Sequence, residues 1–374
     1  MKILLAPDKF KGSLSAAGVS AAIERGWRTV QPEAVFLKAP MADGGEGFCE
    51  ALLCALAGEW ITVASADALG RAIEARYVWV AATQTAVIEM SEASGLWRLS
   101  ARELDPKRAN TFGTGLLMRD AIERGAVRIL VGLGGSATTD GGIGMAAALG
   151  ADFLGADGTL LEPVPAQMSQ IRRIDVSRVL PLPEIVAACD VQNPLLGARG
   201  TAAIFSPQKG AQPEDVAFLE AGLTNLATLV ATQLGCDFQE TPGAGAAGGI
   251  GYGLLSFCRA KMEPGFDLVA AAVDLEARIS EVDLVITGEG RLDGQTLEGK
   301  GPAGVAALAR ARGKRVMAFA GSIADDPAVL ERFDAVVPIV DRPMSLPEAM
   351  AQPDILLERA AARTASLLKL TFSL

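Results

Sequence analysis

Apolar positions along this chain gather into short contiguous runs separated by longer stretches of helical spacing. Lys2 to Ala6, Ala34 to Ala39, Val127 to Val131, Glu184 to Cys189, Asp283 to Thr287, Lys314 to Ala320 and Asp334 to Val340 are the mostly apolar runs. Such runs, without strict alternation, read as strands buried on both faces. Ser15 is suited to cap an amphipathic helix from Ala16 to about Thr29. Further helices are expected up to Leu56, over Ala109 to Gly125 and over Gly144 to Gly150. Strand and helix in alternation predict βαβ units and a parallel sheet.

The middle of the chain has a different pattern. Trp60 to Ser65, Ala72 to Ala82 and Thr85 to Met90 are strand-like and joined by short turns, which predicts an antiparallel meander. Ala151 to Pro183 is polar and turn-rich, with Asp157-Gly158 as a hairpin turn. Ala202 to Phe205 reads as one more strand, leading into Ser206-Pro207-Gln208-Lys209-Gly210. The fold class is therefore α/β with two domains. Residues 1–60 and 281–374 form a discontinuous, Rossmann-like parallel-sheet domain, and residues 61–280 form an inserted α/β domain with some antiparallel strands. Residues 106–150 fit either.

Composition narrows the chemistry. Half of the 374 residues are apolar, enough for a large core, and the net charge is −10. Basic clusters and aromatic–basic interleaving are absent, which argues against nucleic acid and anionic membrane as partners. The start of the chain does not read as a signal peptide: the apolar run Ile3 to Ala6 is short, and Asp8 and Lys9 follow it. Five scattered cysteines without CxxC spacing read as reduced thiols of a cytoplasmic protein. There is no histidine. That removes Ser-His-Asp and Cys-His catalysis and His-ligated zinc. Proton transfer then falls to Asp, Glu, Lys, Tyr or water, and a metal site would be rich in oxygen, which suits Mg²⁺.

Candidate chemistry centres on Gly132-Leu133-Gly134-Gly135-Ser136-Ala137-Thr138-Thr139-Asp140-Gly141-Gly142. A strand enters this stretch and a helix leaves it, an arrangement whose free N–H groups and helix dipole favour phosphate. Gly134 and Gly135 permit close backbone approach, Ser136, Thr138 and Thr139 add hydroxyls, and Asp140 could orient a metal or a hydroxyl. The plainer reading is a turn that closes a βα unit. Asp8, Lys11, Asp43 and Glu46 follow strand ends and so share one sheet edge, where open α/β sheets bind ligands; turn and cap duty is the alternative for Asp43 and Glu46. Asp190 and Asn193 follow another strand and suit a metal or a substrate hydroxyl, or else an Asx turn. Lys209, near a strand end, is a candidate anion binder. Gly288 to Gly301 reads as a long loop carrying Glu289, Arg291, Asp293, Gln295 and Thr296.

Two formal motifs fail on context. Gly243-Ala244-Gly245-Ala246-Ala247-Gly248 matches GxGxxG, but no clean strand precedes it or Asp267, the acid at the fingerprint distance. Gly294 to Gly301 nearly matches a Walker A loop but ends in Gly where the motif needs Ser or Thr.

Five stretches together resemble those of the bacterial type I glycerate kinases. They are PDKFKGSLSA (Pro7 to Ala16), PMADGGEG (Pro40 to Gly47), GLGGSATTDGG (Gly132 to Gly142), CDVQNPLLG (Cys189 to Gly197) and TGEGRLDGQT (Thr287 to Thr296). SPQKGA and PGAGAAGG lie in order between them. Lys9 departs from the family's usual Ser, and Thr139 from its usual Asn. The resemblance implies two α/β domains with the active site in the cleft, and transfer of the ATP γ-phosphate to D-glycerate, generally at the 2-hydroxyl. Transfer to the 3-hydroxyl or to another small hydroxy acid is the near alternative, and a non-catalytic sugar-acid sensor the distant one. Within that reading Asp190 is the expected base, with Asp8 and Asp43 as rivals. Asp43, Glu289 and Asp293 would hold Mg²⁺. Lys11 and Lys209 would neutralise the γ-phosphate or hold the glycerate carboxylate, which Arg291 could also grip in bidentate fashion. Gly134, Gly135, Ser136 and Thr138 would cradle phosphate, with Asn193, Gln295 and Thr296 as further ligand contacts.

Overall fold

The computed structural model describes every residue except Gln295, 297–300 and 372–374. Its strands, in chain order, are β1 (Lys2–Leu5), β2 (Val35–Lys38), β3 (Glu59–Ala66), β4 (Ala72–Val80), β5 (Thr85–Glu89), β6 (Arg128–Gly132), β7 (Asp152–Leu154), β8 (Arg173–Asp175), β9 (Glu184–Ala188), β10 (Lys261–Glu263), β11 (Leu284–Leu292), β12 (Arg315–Ile323) and β13 (Ala335–Pro338). The chain divides into two compact units, one made of Met1–Asp43 with Phe266–Leu374 and the other of Gly44–Gly265. Residues 106–150 fall inside the second.

The first unit is built on a five-stranded sheet in the order β13-β12-β11-β1-β2, with every pairing parallel. Ile3, Leu5, Ile286 and Phe319 fill one core with helices against them, which is why these strands carry contiguous apolar runs. The helix Ala16–Arg28 starts where expected, with Ser15 Oγ accepting from Gly18 N at 3.3 Å. It packs on the C-terminal helix Pro353–Thr371. At the crossing Gly26 lies so close that a Cβ there would be 1.9 Å from the carbonyl oxygen of Glu358. The chain leaves β1 toward β2 on one side, while β11 lies on the other. The C-terminal edge at β1 is therefore the topological switch point, the usual ligand position of such sheets.

The second unit holds a six-stranded sheet in the order β10-β9-β6-β5-β4-β3. The expected meander is present, since β3, β4 and β5 pair antiparallel. From β5 onward the pairings are parallel, through β6 and β9 to β10. A small antiparallel pair, β7 with β8, stands apart. Its core joins Tyr77, Ile88, Ile129, Val131, Leu226 and Tyr252 with other buried side chains. Asp157-Gly158 does turn the chain, but toward a single bridge between Leu154 and Leu160; β7 takes its partner strand from residues 173–175.

Two sequence expectations are corrected. Ala202–Phe205 lies in a helix, Thr201–Phe205, so Lys209 ends a short 3₁₀ turn rather than following a strand. A brief apolar segment has no period of its own to separate strand from helix. Strand β11 runs on to Leu292, so Glu289 and Arg291 belong to a strand and not to a loop. Its glycines misled: a Cβ on Gly288 would come within 2.2 Å of the Phe319 oxygen, so glycine is present there for close strand packing. Asp267 lies on the helix Gly265–Ala272, which removes the acid-after-strand that a dinucleotide fingerprint needs.

Replacing Gly26 with Ala should force the two helices apart. The expected cost is about 1–3 kcal/mol, the usual range for overpacking, read as a lower urea midpoint. An unchanged midpoint would mean that the crossing yields freely.

Candidate active site

In the second unit the glycine-rich stretch leaves β6 at Gly132, next to the end of β9, and reaches the helix Ile143–Ala148 through Asp140, Gly141 and Gly142. Gly135, Gly141 and Gly142 have positive φ. Gly134 is there for another reason: a Cβ on it would lie 2.4 Å from the Cα of Gly45. Gly44 and Gly45, which precede the helix Phe48–Ala55, thus cross directly over the loop. Glu89, at the end of β5, accepts from Cys49 N at 2.8 Å and anchors the start of that helix. Glu46 is exposed.

Asp140 is completely buried. It accepts from Thr111 N at 2.8 Å, Thr111 Oγ1 at 2.7 Å, and Gly142 N and Gly144 N at 3.1 Å each. Burial raises its carboxyl above the ordinary value, against the pull of these hydrogen bonds. Asp140 therefore holds the loop together and does not present itself to a ligand. Lys209 is also interior, only 1% exposed. Its Nζ donates to Ser136 Oγ at 2.7 Å and to the Thr138 carbonyl oxygen. Burial pushes Lys209 down to about 7, opposed by the Asp140 charge. A lysine expected to meet an anion from outside instead grips the loop from within. Among the described residues the buried hydroxyls of Thr138 and Thr139 have no hydrogen-bond partner. A buried donor left unmatched is costly, so such groups await a ligand or water.

Asp190 follows β9 and accepts from Gly265 N at 3.1 Å. Asn193 Nδ2 donates to the Arg199 oxygen at 2.7 Å, so its amide folds back on its own loop.

In the first unit Asp8, Asp43 and Glu289 gather at the C-terminal edge of β2, β1 and β11. Asp8 N donates to the Gly288 oxygen, which draws the Pro7–Lys9 turn onto β11. Lys9 N donates to Asp8 Oδ1 at 2.6 Å, and Lys9 Nζ stands 3.8 Å from Asp8 Oδ1 and 3.7 Å from Asp43 Oδ1. Burial pushes Asp8 up to about 6; Lys9 opposes this and Asp43 adds to it. Glu289 is pushed up to about 7 by burial, with Thr296 opposing and the charges of Asp8, Asp293 and Asp43 adding. Thr296 Oγ1 donates to Glu289 Oε1 at 2.7 Å and accepts from Asp293 N at 3.1 Å. Arg291 is largely exposed and pairs with Asp293 at 3.0 Å. Lys11 is exposed. Gln295 lies outside the described residues.

Crowded carboxylates favour a cation beside them. Among the described residues no three His, Cys, Asp or Glu side chains are grouped tightly enough to cage a metal. Mg²⁺ does not require such a cage, since it commonly takes one or two carboxylates and completes its shell with water and substrate phosphate. The oxygen donors fit that ion in kind.

Sequence reasoning found the loops but missed Glu89 and Thr111, and it met Gly248 only as the last glycine of a formal GxGxxG match. Gly248 has positive φ, and a Cβ on it would lie 1.8 Å from the Thr138 oxygen and 3.1 Å from Lys209 Nζ. Its place in a glycine-rich run was the only signal for it.

Comparisons with known proteins agree over nearly the whole chain. A family model described as the glycerate kinase family matches residues 3–369. A glycerate kinase of Halalkalibacterium halodurans is 44% identical over 368 residues, covering 97% of both chains. A glycerate 2-kinase of Escherichia coli K12 is 42% identical over 358 residues, covering 93% of both. A crystal structure described as glycerate kinase 2 from Salmonella typhimurium LT2 superposes with a TM-score of 0.88 at 41% identity, covering all of both chains.

The Lys209 environment has a thermodynamic signature. Between about 7 and the ordinary 10.5 the unfolded chain holds a proton that the folded protein lacks at this site. Stability should therefore rise with pH across that window and flatten below it. Urea midpoints at pH 7 and pH 9.5 should differ more for the wild type than for Lys209→Met. An equal difference in both would remove the assignment.

Proposed function

The chain belongs to the glycerate kinase family, and from that membership we propose how its residues move a phosphoryl group from ATP to glycerate. It is an ATP-dependent glycerate kinase. We assign the acceptor as the 2-hydroxyl of D-glycerate, following the relative named glycerate 2-kinase.

Phosphoryl transfer demands positioning, neutralisation of phosphate charge and a group to take the hydroxyl proton. The acidic edge of the first unit is the observation that carries the proposal. With histidine absent, the base is a carboxylate, and Asp8 is the best placed: it lies in the turn that follows β1 at the switch point, and burial raises its carboxyl to about 6. This sets Asp8 ahead of Asp190, the base expected from the sequence, whose Oδ1 accepts from Gly265 N, and of Asp43, which is assigned to the metal. One or two of Asp43, Glu289 and Asp293 would hold Mg²⁺, which when bound neutralises phosphate charge. Arg291 orients Asp293, and Thr296 orients Glu289. Lys11 offers an exposed cation for the glycerate carboxylate or a phosphate.

In the second unit, Gly134, Gly135 and Ser136 offer backbone N–H groups, and the Thr138 and Thr139 hydroxyls are unmatched donors. We assign phosphate to this loop. No helix among the described residues is long and apolar enough to cross a membrane. Among the described residues the five cysteines form no disulfide, and we place the enzyme in the cytoplasm with its nucleotide.

Incubation with ATP, Mg²⁺ and D-glycerate followed by enolase alone should yield phosphoenolpyruvate. Product only after phosphoglycerate mutase is added would move the acceptor to the 3-hydroxyl. Asp8→Asn should lower kcat by about 10² or more, with ATP affinity little changed. Near wild-type turnover in that variant, with loss in Asp190→Asn, would transfer the role of base to Asp190.

A further inference from the structure

The interior lysine beneath the glycine loop is more than a strut, because of what an ammonium can and cannot do. It has three donors and no acceptor. Ser136 Oγ, 2.7 Å from Lys209 Nζ, can therefore only accept in that contact. Its own proton must then be given elsewhere, so the hydroxyl becomes an obligate donor. The Thr138 carbonyl is held by the same ammonium. Gly248 leaves the room for this contact, since any side chain there would meet the Thr138 oxygen and crowd the ammonium.

We propose that Lys209 is a positioning residue that commits the Ser136 hydroxyl to donate to an anionic oxygen of the bound ligand, and so selects phosphate at the loop without touching it. This rests on the reading of the loop as a phosphate site. It replaces the direct anion contact expected of Lys209 with an indirect one. While Lys209 is protonated, below about pH 7, the loop carries a positive charge that is shielded from water, and its field reaches the ligand through one polarised hydroxyl. Asp140 is the charged group, among the described residues, whose field acts on the ammonium.

The test is a double-mutant cycle on ATP binding, measured by calorimetry, with D-glycerate titrated in parallel. Ser136→Ala and Lys209→Met should each weaken ATP binding by about tenfold or more, the loss expected for a hydrogen bond to a charged group. The double variant should bind no worse than Lys209→Met alone, because the lysine acts through the serine. Multiplying losses in the double variant would overturn the proposal while leaving the phosphate loop in place. Unchanged ATP and D-glycerate affinities in Ser136→Ala would overturn both.

If Lys209→Met fails to fold, Ser136→Ala alone decides. The penalty it imposes on ATP binding should shrink between pH 6 and pH 9, as the interior amine loses its proton and can itself accept from Ser136. A penalty constant across that range would reject the coupling.

Discussion

The second unit depends on a carboxylate that never meets water. Asp140 is held by two contacts from Thr111 and by the N–H groups of Gly142 and Gly144. Thr111 Oγ1 in turn accepts from Met145 N at 2.8 Å. One side chain thus joins the loop after β6, the start of the helix it feeds and the start of the helix Phe112–Glu123. An ionised carboxylate in such a place is tolerable only when its oxygens are matched, and four donors match them. The curvature of the loop, and hence where its other N–H groups point, follows from that arrangement. Lys209 completes it from the opposite side.

Much of this was legible in the sequence, and what was not has a common cause. The strands of the first sheet, the Ser15 cap and the meander could be read because contiguous apolar runs, a capping hydroxyl and short turns are local signals. The loops carrying Asp8, Asp43, Asp190 and the glycine stretch could be read because they follow those strands. Lys209 could not be placed, since its burial is set by residues 73 and 71 positions away. Asp140 looked like a ligand group for the same reason, its partner Thr111 being 29 residues distant. Glu289 and Arg291 were assigned to a loop because the glycines around them were taken as turn formers. Gly288 is instead a narrow place where β11 presses against β12.

The acidic edge of the first unit is a trade between resting stability and use. Asp8 and Glu289 sit where burial and mutual charge both resist ionisation. Lys9 and Thr296 relieve part of that resistance and leave part of it standing. A site where burial and mutual charge resist ionisation is primed for ligands that bring positive charge, at the expense of the ligand-free protein.

The discontinuity of the first unit has a consequence for synthesis. β1 and β2 leave the ribosome early, but β1 completes its hydrogen bonds with β11: Ala6 N donates to the Ile286 oxygen, and Thr287 Oγ1 reaches back 281 residues to the Ala6 oxygen. Everything from Gly44 to Gly265 is made in between. At usual elongation rates the wait is on the order of ten seconds or more. Throughout it Ile3, Leu4 and Leu5 have no finished sheet to cover them, while the intervening unit has all its own strands and can close. The second unit can thus mature before the first, and β1 is a segment that holding chaperones would meet throughout the wait.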